Sequence, residues 1–564
     1  MMWRRKRRQD PEIAPDEIFL DASNAPAFDT ARFEGRLEKP LLQETFFYFA
    51  ATLTVLFFVL IIRTWNLQVT QGAEFASESA HNSLEVRILF APRGVITDVN
   101  GVVVAENVEK EDGSMRRSYP VPSFGQIIGY VSYPKKDAKG VYYDTDETGI
   151  AGLEAEYDSL LAGKNGQLLT EVDALGQVRS EGTIVRAEEG KALRLSIDAN
   201  LERLLERAIR DTASSQHFIA GAGVIMDVNT SAVRAIVSYP SYDPNVMANG
   251  GPSDVIAEYS KNPGRPFLDH AVQGVYAPGS IVKPFVASGA LTDGIITPNT
   301  VIEDKGFISL PDPYHPGKSF IYKGWKALGP VEVRKAIAWS SDVFFYTVGG
   351  GFENQKGLGI DRLAYWYRQF ELGNPTGIDL PGEANGRIPT PEWKETVFNE
   401  PWYLGDTYFT AIGQYSMQVT PVQMVRAIAA IANGGKLFTP TLIADKAPEY
   451  STVPANASAL KIVREGMRQT VTSALATAIN LPYLKVAAKT GTAQTGTRNQ
   501  YDNAWVEGFF PYDNPQYAFV VVLERGPSGT SGQAVNVMRQ LFDSLYSENS
   551  PYVGGLATTH STVR

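Results

Sequence analysis

Tyr276-Ala277-Pro278-Gly279-Ser280-Ile281-Val282-Lys283 is the stretch on which the reading of this chain turns. Pro278 and Gly279 ahead of an apolar run predict a helix that starts at Ser280. Residues three apart share a helix face, so Lys283 is expected to reach the Ser280 hydroxyl. A serine attacks carbonyls only when something takes its proton, and a desolvated, neutral lysine can do so. The pair alone is cheap, since Ser132…Lys135 and Ser458…Lys461 repeat it. Two later elements give it weight. Ser340-Ser341-Asp342 follows, although Ser196-Ile197-Asp198 and Ser241-Tyr242-Asp243 share its pattern, and then Lys489-Thr490-Gly491-Thr492 supplies a Lys-Thr-Gly that occurs once.

Ser-x-x-Lys, Ser-x-Asp and Lys-Thr-Gly in this order resemble the signature of penicillin-binding and serine β-lactamase-type acyltransferases. Further segments carry the likeness beyond the triple. Ala91-Pro92-Arg93-Gly94 with Asp98-Val99-Asn100-Gly101, and Thr148-Gly149-Ile150-Ala151-Gly152-Leu153-Glu154, resemble the juxtamembrane pedestal of class B penicillin-binding proteins. Thr376 to Glu383, Trp402 to Gln414, Thr420-Pro421 and Asn433-Gly434-Gly435 resemble the penicillin-binding protein 2 group, which acts in cell-wall elongation. That group commonly carries aspartate where Asp342 stands, whereas the division-type group carries asparagine.

Composition sets outer limits. The chain has 564 residues, 44% hydrophobic and 20% charged, which suits a globular protein with a sizeable core. A net charge of −10 without a long basic face argues against a nucleic-acid partner. With no cysteine, disulfides, thiolate zinc sites and cysteine nucleophiles are excluded. Asp304, Asp312 and His315 are the only loose metal-type grouping; without cysteine or a second nearby histidine they make a poor zinc site, and no metal or cofactor is expected.

Charge patterning near the N-terminus predicts a membrane anchor. Arg4, Arg5, Lys6, Arg7 and Arg8 precede a polar stretch, and Phe46 to Ile62 then carries no charge. With Trp65 and Leu67 the run reaches membrane-spanning length. Basic residues before it place the N-terminus in the cytoplasm and the remainder outside the cytoplasmic membrane. A cleaved signal peptide fits less well, because the polar leader is too long.

Beyond the anchor, Val99-Asn100-Gly101 reads as a tight turn with Val102 to Ala105 returning as a strand. Leu201 to Thr212 is helical, Gly221 to Met226 and Ala232 to Ser238 form a hairpin, Ala504 to Phe510 and Tyr517 to Glu524 are strands, and Ala534 to Tyr546 is a closing helix. Strands from both ends of a domain around a helical middle predict an α+β fold, helices packed on an antiparallel sheet. The expected division is a cytoplasmic tail over 1–42, a transmembrane helix over 43–67, a β-rich pedestal over 68–192, a transpeptidase-like domain over 193–548 and a disordered tail over 549–564.

The resemblance implies roles. Ser280 is the nucleophile, Lys283 the base, and Ser340 relays a proton to the leaving amine. Lys489, Thr490, Gly491 and Thr492 hold the substrate carboxylate, and the amides of Ser280 and Thr492 form the oxyanion hole. Asp342 accepts from Lys283, although it also steadies the charged form that a base must leave; a helix-capping role is its structural alternative. The implied activity is peptidoglycan D,D-transpeptidation through a Ser280 acyl-enzyme, blocked by β-lactams. The implied partners are lipid II-derived glycan strands, a polytopic SEDS-type glycosyltransferase and other elongation-complex proteins. Division-type transpeptidase, D,D-carboxypeptidase, β-lactamase and a non-enzymatic penicillin-binding sensor or scaffold are the rivals; no Glu-x-x-Leu-Asn run is present to activate deacylating water.

Overall fold

The computed structural model describes residues 43–81, 84–109, 115–138, 142–172, 178–312, 315–496, 499–530 and 532–554. The five N-terminal basic residues lie outside them. The chain divides into two compact units, Met1–Glu85 with Thr170–Glu181, and Val86–Leu169 with Gly182–Arg564.

In the first unit, helix α1 (Gln43–Trp65) continues into a π-helical turn, Asn66–Thr70. Its apolar side chains are exposed all round; Phe47 is 72% and Ile62 65% accessible. A helix of this length, about 1.5 Å per residue, matches a hydrocarbon core of about 30 Å, and Phe46–Thr70 is long and apolar enough to cross a membrane. An apolar helix without a polar stripe or protein cover belongs in lipid rather than water.

The second unit begins with a small sheet. Strands β1 (Ile96–Thr97), β2 (Val103–Glu109) and β3 (Met115–Ser118) are antiparallel neighbours, and β4 (Leu193–Arg194) joins β1 in parallel. The turn between β1 and β2 is held by Asp98, whose Oδ1 accepts from the amides of Asn100 (2.8 Å) and Val102 (2.7 Å). Gly101 takes φ +86°, open to glycine at little cost. Asp98 Oδ2 also accepts from the Ala199 amide at 3.0 Å, at the start of helix α2 (Ala199–Gln216). Under this sheet, buried Glu154 receives Arg93 (2.6 Å) and Arg117 (2.7 Å). The Glu154 pairs tie Arg93, Arg117 and Glu154 together, while the Asp98–Ala199 bond and the β1–β4 pairing join this region to the C-terminal part within the second unit.

Asp198 caps α2 by accepting from the amides of Asn200 and Leu201. Leu201, Leu204, Leu205, Ala208 and Ile209 recur at helical spacing and are buried. Burial of each leucine or isoleucine is worth roughly 1.5–3 kcal/mol. They pack beneath a five-stranded antiparallel sheet built from β5 (Ala220–Asp227), β6 (Val233–Tyr239), β7 (Ala487–Thr495), β8 (Tyr501–Phe510) and β9 (Tyr517–Pro527), in the order β6-β5-β9-β8-β7. The closing helix α7 (Gln533–Ser547) lies beside α2. Residues 551–553 then form a 3₁₀ turn whose Val553 is buried in the same core, so ordered chain runs past the expected limit at 549. Residues 555–564 of that expected tail are not described.

The opposite face of the sheet is covered by helices α3 (Lys283–Thr292), α4 (Asp342–Gly350), α5 (Pro421–Asn433) and α6 (Ala457–Ser473). The α+β architecture follows from this layering: strands from before residue 240 and after residue 486 form one sheet, and the segment between them supplies the covering helices. Strand β7 is an edge, paired only with β8, which leaves one row of its backbone groups without a strand partner.

Candidate active site

Ser280 stands at that free edge. Its approach strand is fixed by reciprocal bonds between Tyr276 and Val419, both 2.9 Å, and by Trp505 Nε1 donating to the Ala277 carbonyl at 3.1 Å. His270, given no role by its position in the sequence, lies within 2.6 Å of the Tyr276 hydroxyl through Nδ1 and so supports the same segment. Gly279 follows at φ +57°, and its amide donates to the Gly413 carbonyl at 2.9 Å. A Cβ on Gly279 would lie 2.4 Å from the Thr492 carbonyl oxygen, and one on Gly413 would lie 2.2 Å from that of Gly279. Three backbones thus meet where a side chain has no room, which seats Ser280 against β7.

The expected helix entry is displaced. Gly279–Val282 is a 3₁₀ turn, and the α-helix starts at Lys283 rather than Ser280. Lys283 is wholly buried, and its Nζ donates to the Ser340 carbonyl (2.9 Å), Ser340 Oγ (3.1 Å) and Asp342 Oδ1 (2.6 Å). Among the described residues no hydrogen bond joins Lys283 Nζ to Ser280 Oγ, contrary to the expectation from spacing. Three acceptors 57 to 59 residues further on outcompete one hydroxyl on the same turn.

Ser340 can offer both its carbonyl and its hydroxyl because its backbone is left-handed, φ +54°. Ser341 is the residue that caps α4: its Oγ accepts from the Phe344 amide at 3.1 Å and donates to buried Asp304 Oδ2 at 2.5 Å. Asp342 is therefore the first residue inside the helix and not its cap, which leaves its carboxylate for Lys283. Asp304, one of the loose metal-type grouping, is spent on this cap, while Asp312 and His315 meet at the surface, 2.8 Å apart. Among the described residues no three His, Asp or Glu side chains are grouped to hold a metal. The decoy pairs have ordinary structural duties: Ser196 donates to backbone carbonyls, and Asp243 caps a short helix.

Ser280, Ser340, Asp342, Thr490, Gly491 and Thr492 line one cleft of about 910 Å³. Lys283 and Lys489 are completely buried behind its wall. Burial pushes Lys283 below the ordinary lysine range, against the pull of the Asp342 and Asp304 carboxylates. Lys489 lies well below that range, first through burial and then through the positive Lys283, with Glu507 and Asp342 opposing. Its Nζ donates to the Thr490 carbonyl at 2.7 Å.

Trp325, Tyr346 and Leu475, which no motif in the sequence marks, also line the cleft. Of the segment Trp402 to Gln414, residues Phe409, Ile412 and Gln414 do so, whereas Trp402 donates to Thr407 Oγ1. No motif marks Glu507 either, although a lone acid in the apolar run Ala504 to Phe510 is a visible signal. Such a cleft, with a seated hydroxyl beside a buried amine, a second hydroxyl and free edge-strand amides, has the parts for serine acyl transfer.

Comparison with known proteins agrees. Residues 221–543 match the penicillin binding protein transpeptidase domain, and residues 110–195 match the penicillin-binding protein dimerisation domain. Escherichia coli (strain K12) peptidoglycan D,D-transpeptidase MrdA is 34% identical over 473 residues, spanning 77% of this chain and 71% of that protein. Penicillin-binding protein 2 of Helicobacter pylori, solved in complex with MreC, is 26% identical with a TM-score of 0.68, over 82% of this chain and 99% of that one. A chain from a peptidoglycan synthase complex, solved for the coordination of polymerization and crosslinking, reaches a TM-score of 0.71 at 28% identity, over 92% and 99%. By its motifs, its fold and these relatives, the chain belongs to the penicillin-binding protein transpeptidases of the penicillin-binding protein 2 type.

Proposed function

We propose that this protein is a membrane-anchored peptidoglycan D,D-transpeptidase of cell-wall elongation, working through an acyl-enzyme at Ser280. The observation that carries the reading is Ser280 at the free edge of β7, with buried Lys283 tied to Ser340 and Asp342 in the same cleft. Lys283 enters as the free amine, the form that burial favours, and takes the Ser280 proton as Oγ attacks the penultimate D-alanine carbonyl. The carbonyl oxygen becomes an oxyanion held by the Ser280 and Thr492 amides. Asp342 then steadies the ammonium, which reconciles its charge with a base next to it. The proton passes through Ser340 Oγ to the departing D-alanine amine as the peptide C–N bond breaks. An amino group on a neighbouring stem peptide attacks the ester, forms the crosslink and frees Ser280. Lys489 as ammonium, with Thr490 and Thr492, holds the terminal carboxylate.

The elongation assignment rests on the likeness to MrdA and on Asp342. The N-terminal basic cluster ahead of α1 supports a cytoplasmic N-terminus and a catalytic unit outside the membrane. The two solved complexes support partnership with a SEDS-type glycosyltransferase and with other elongation proteins. β-Lactams, whose strained amide mimics the D-alanyl end, are expected to acylate Ser280.

The test is full-length protein with a partner glycosyltransferase and lipid II labelled in its terminal D-alanine. Crosslinked product and released D-alanine are expected, both lost in Ser280→Ala and Lys283→Ala with the fold retained. Unchanged crosslinking in Ser280→Ala refutes the reading. D-Alanine release without crosslinks assigns a carboxypeptidase instead.

A further inference from the structure

Glu507 lies directly opposite Lys489 in the register of β7 and β8. Opposed residues project to one face, with Cβ atoms about 4.5–5.5 Å apart, and here that face is the one the helices cover. Glu507 is 0% exposed, and neither carboxylate oxygen has a hydrogen-bond donor among the described residues. Its other cross-strand neighbour is Val520. Helix α5 packs over β8 and β9, but its one cation, Arg426, is bound to the Phe438 carbonyl and to Glu371. Helix α6 packs on β7, where Arg468 donates to the Val486 carbonyl at 2.6 Å, Arg464 donates to the Ala432 carbonyl at 2.9 Å, and Lys461 is exposed. Lys489 is thus the cation left facing Glu507, and across the cleft Lys489 senses Lys283 and Asp342.

A buried carboxyl with no donor and a buried amine with one carbonyl partner are each expensive as ions. Side by side they have two forms with the same number of protons: a neutral acid and amine, or a carboxylate and ammonium. The dry site favours the neutral form, and a substrate carboxylate arriving at Thr490 and Thr492 favours the ionic one. We propose that Glu507 is a positioning residue for Lys489, holding the proton and counter-charge that this lysine takes up when an anionic substrate end enters. For the transfer the Lys489 amine leaves the Thr490 carbonyl and turns to its cross-strand neighbour; the Glu507 O–H bond breaks, the amine lone pair gains the proton, and the resulting carboxylate remains as the buried counter-ion. Burial drives Glu507 well above the usual carboxylate range, and only Lys489 opposes it. The inference rests on the reading of Lys489 as the carboxylate anchor of a Ser280 acyltransferase.

The test is the pH dependence of Ser280 acylation by a penicillin with a free carboxylate and by its methyl ester. Glu507→Gln removes the stored proton and charge. For the free acid, the alkaline limb of the profile is expected to move down by about one to two pH units, with about tenfold slower acylation at the wild-type midpoint of that limb. The ester should lose far less, and Glu507→Asp should restore the limb. A merely structural role slows both drugs alike and leaves the limb in place, which overturns the inference. In the wild type, an infrared difference spectrum edited by labelled glutamate carboxyls should lose a protonated-carboxyl band on binding the free acid and keep it with the ester. A band that persists with both also overturns it. A wild type that is not acylated at Ser280 overturns the reading of the site itself.

Discussion

Replacement of Asp342 by asparagine, the residue of the division-type group, isolates the charge next to the proposed base. Lys283 Nζ lies 2.6 Å from Asp342 Oδ1, with the lysine wholly buried and the aspartate side chain 16% exposed. Unit charges 4 Å apart attract by about 4 kcal/mol at an effective permittivity of about 20. The partial exposure of Asp342 screens some of this, and the asparagine amide retains an oxygen to accept from Nζ. Roughly 1.5–3 kcal/mol of ammonium stabilisation is then lost, which is about one to two pKa units. Because Asp342 raises the pKa of Lys283, its removal lowers it further, and the free amine becomes available in more acidic solution. The assay is the second-order rate constant for penicillin acylation of Ser280 across pH. Asp342→Asn should move the ascending limb to lower pH by about one to two units and accelerate acylation below the wild-type midpoint. A limb that stays in place, or moves to higher pH, refutes Lys283 as the titrating base.

Two further substitutions test the scaffold. Gly279→Ala places a methyl 2.4 Å from the Thr492 carbonyl at a positive φ, so Ser280 must move off β7; acylation should fall about a hundredfold with a smaller loss in denaturant midpoint. Glu154→Gln leaves Arg93 and Arg117 facing each other without their shared carboxylate, and urea unfolding should report a loss of about 3–5 kcal/mol; a loss below about 1 kcal/mol contradicts the buried-pair account.

Much of this was legible in the chain because it is written in local patterns. The hairpin around Asp227, the strands flanking Pro511, the helix after Asp198, the closing helix and the ordered motif triple all depend on near neighbours. The connections that decide Lys283 do not. Its three acceptors lie at a loop-to-helix junction whose shape comes from a left-handed Ser340, a Ser341 cap and an Asp304 carboxylate, none of which helical spacing encodes. The same limit hid Gly413, which matters because three backbones converge there, and Glu507, whose partner becomes visible only with the β7–β8 register. Asp304 drew attention as a metal-type residue because acids near a histidine share that pattern with caps.

One of the three acceptors of Lys283 Nζ is the Ser340 carbonyl, an atom that every amino acid carries. A drug-selected substitution at Ser340 or Asp342 can therefore erase two anchors of this amine and never the third. That third anchor can be disturbed only through backbone geometry, and the residues that set it are Ser341 and Asp304, outside the motif positions where a survey of resistant sequences would look first.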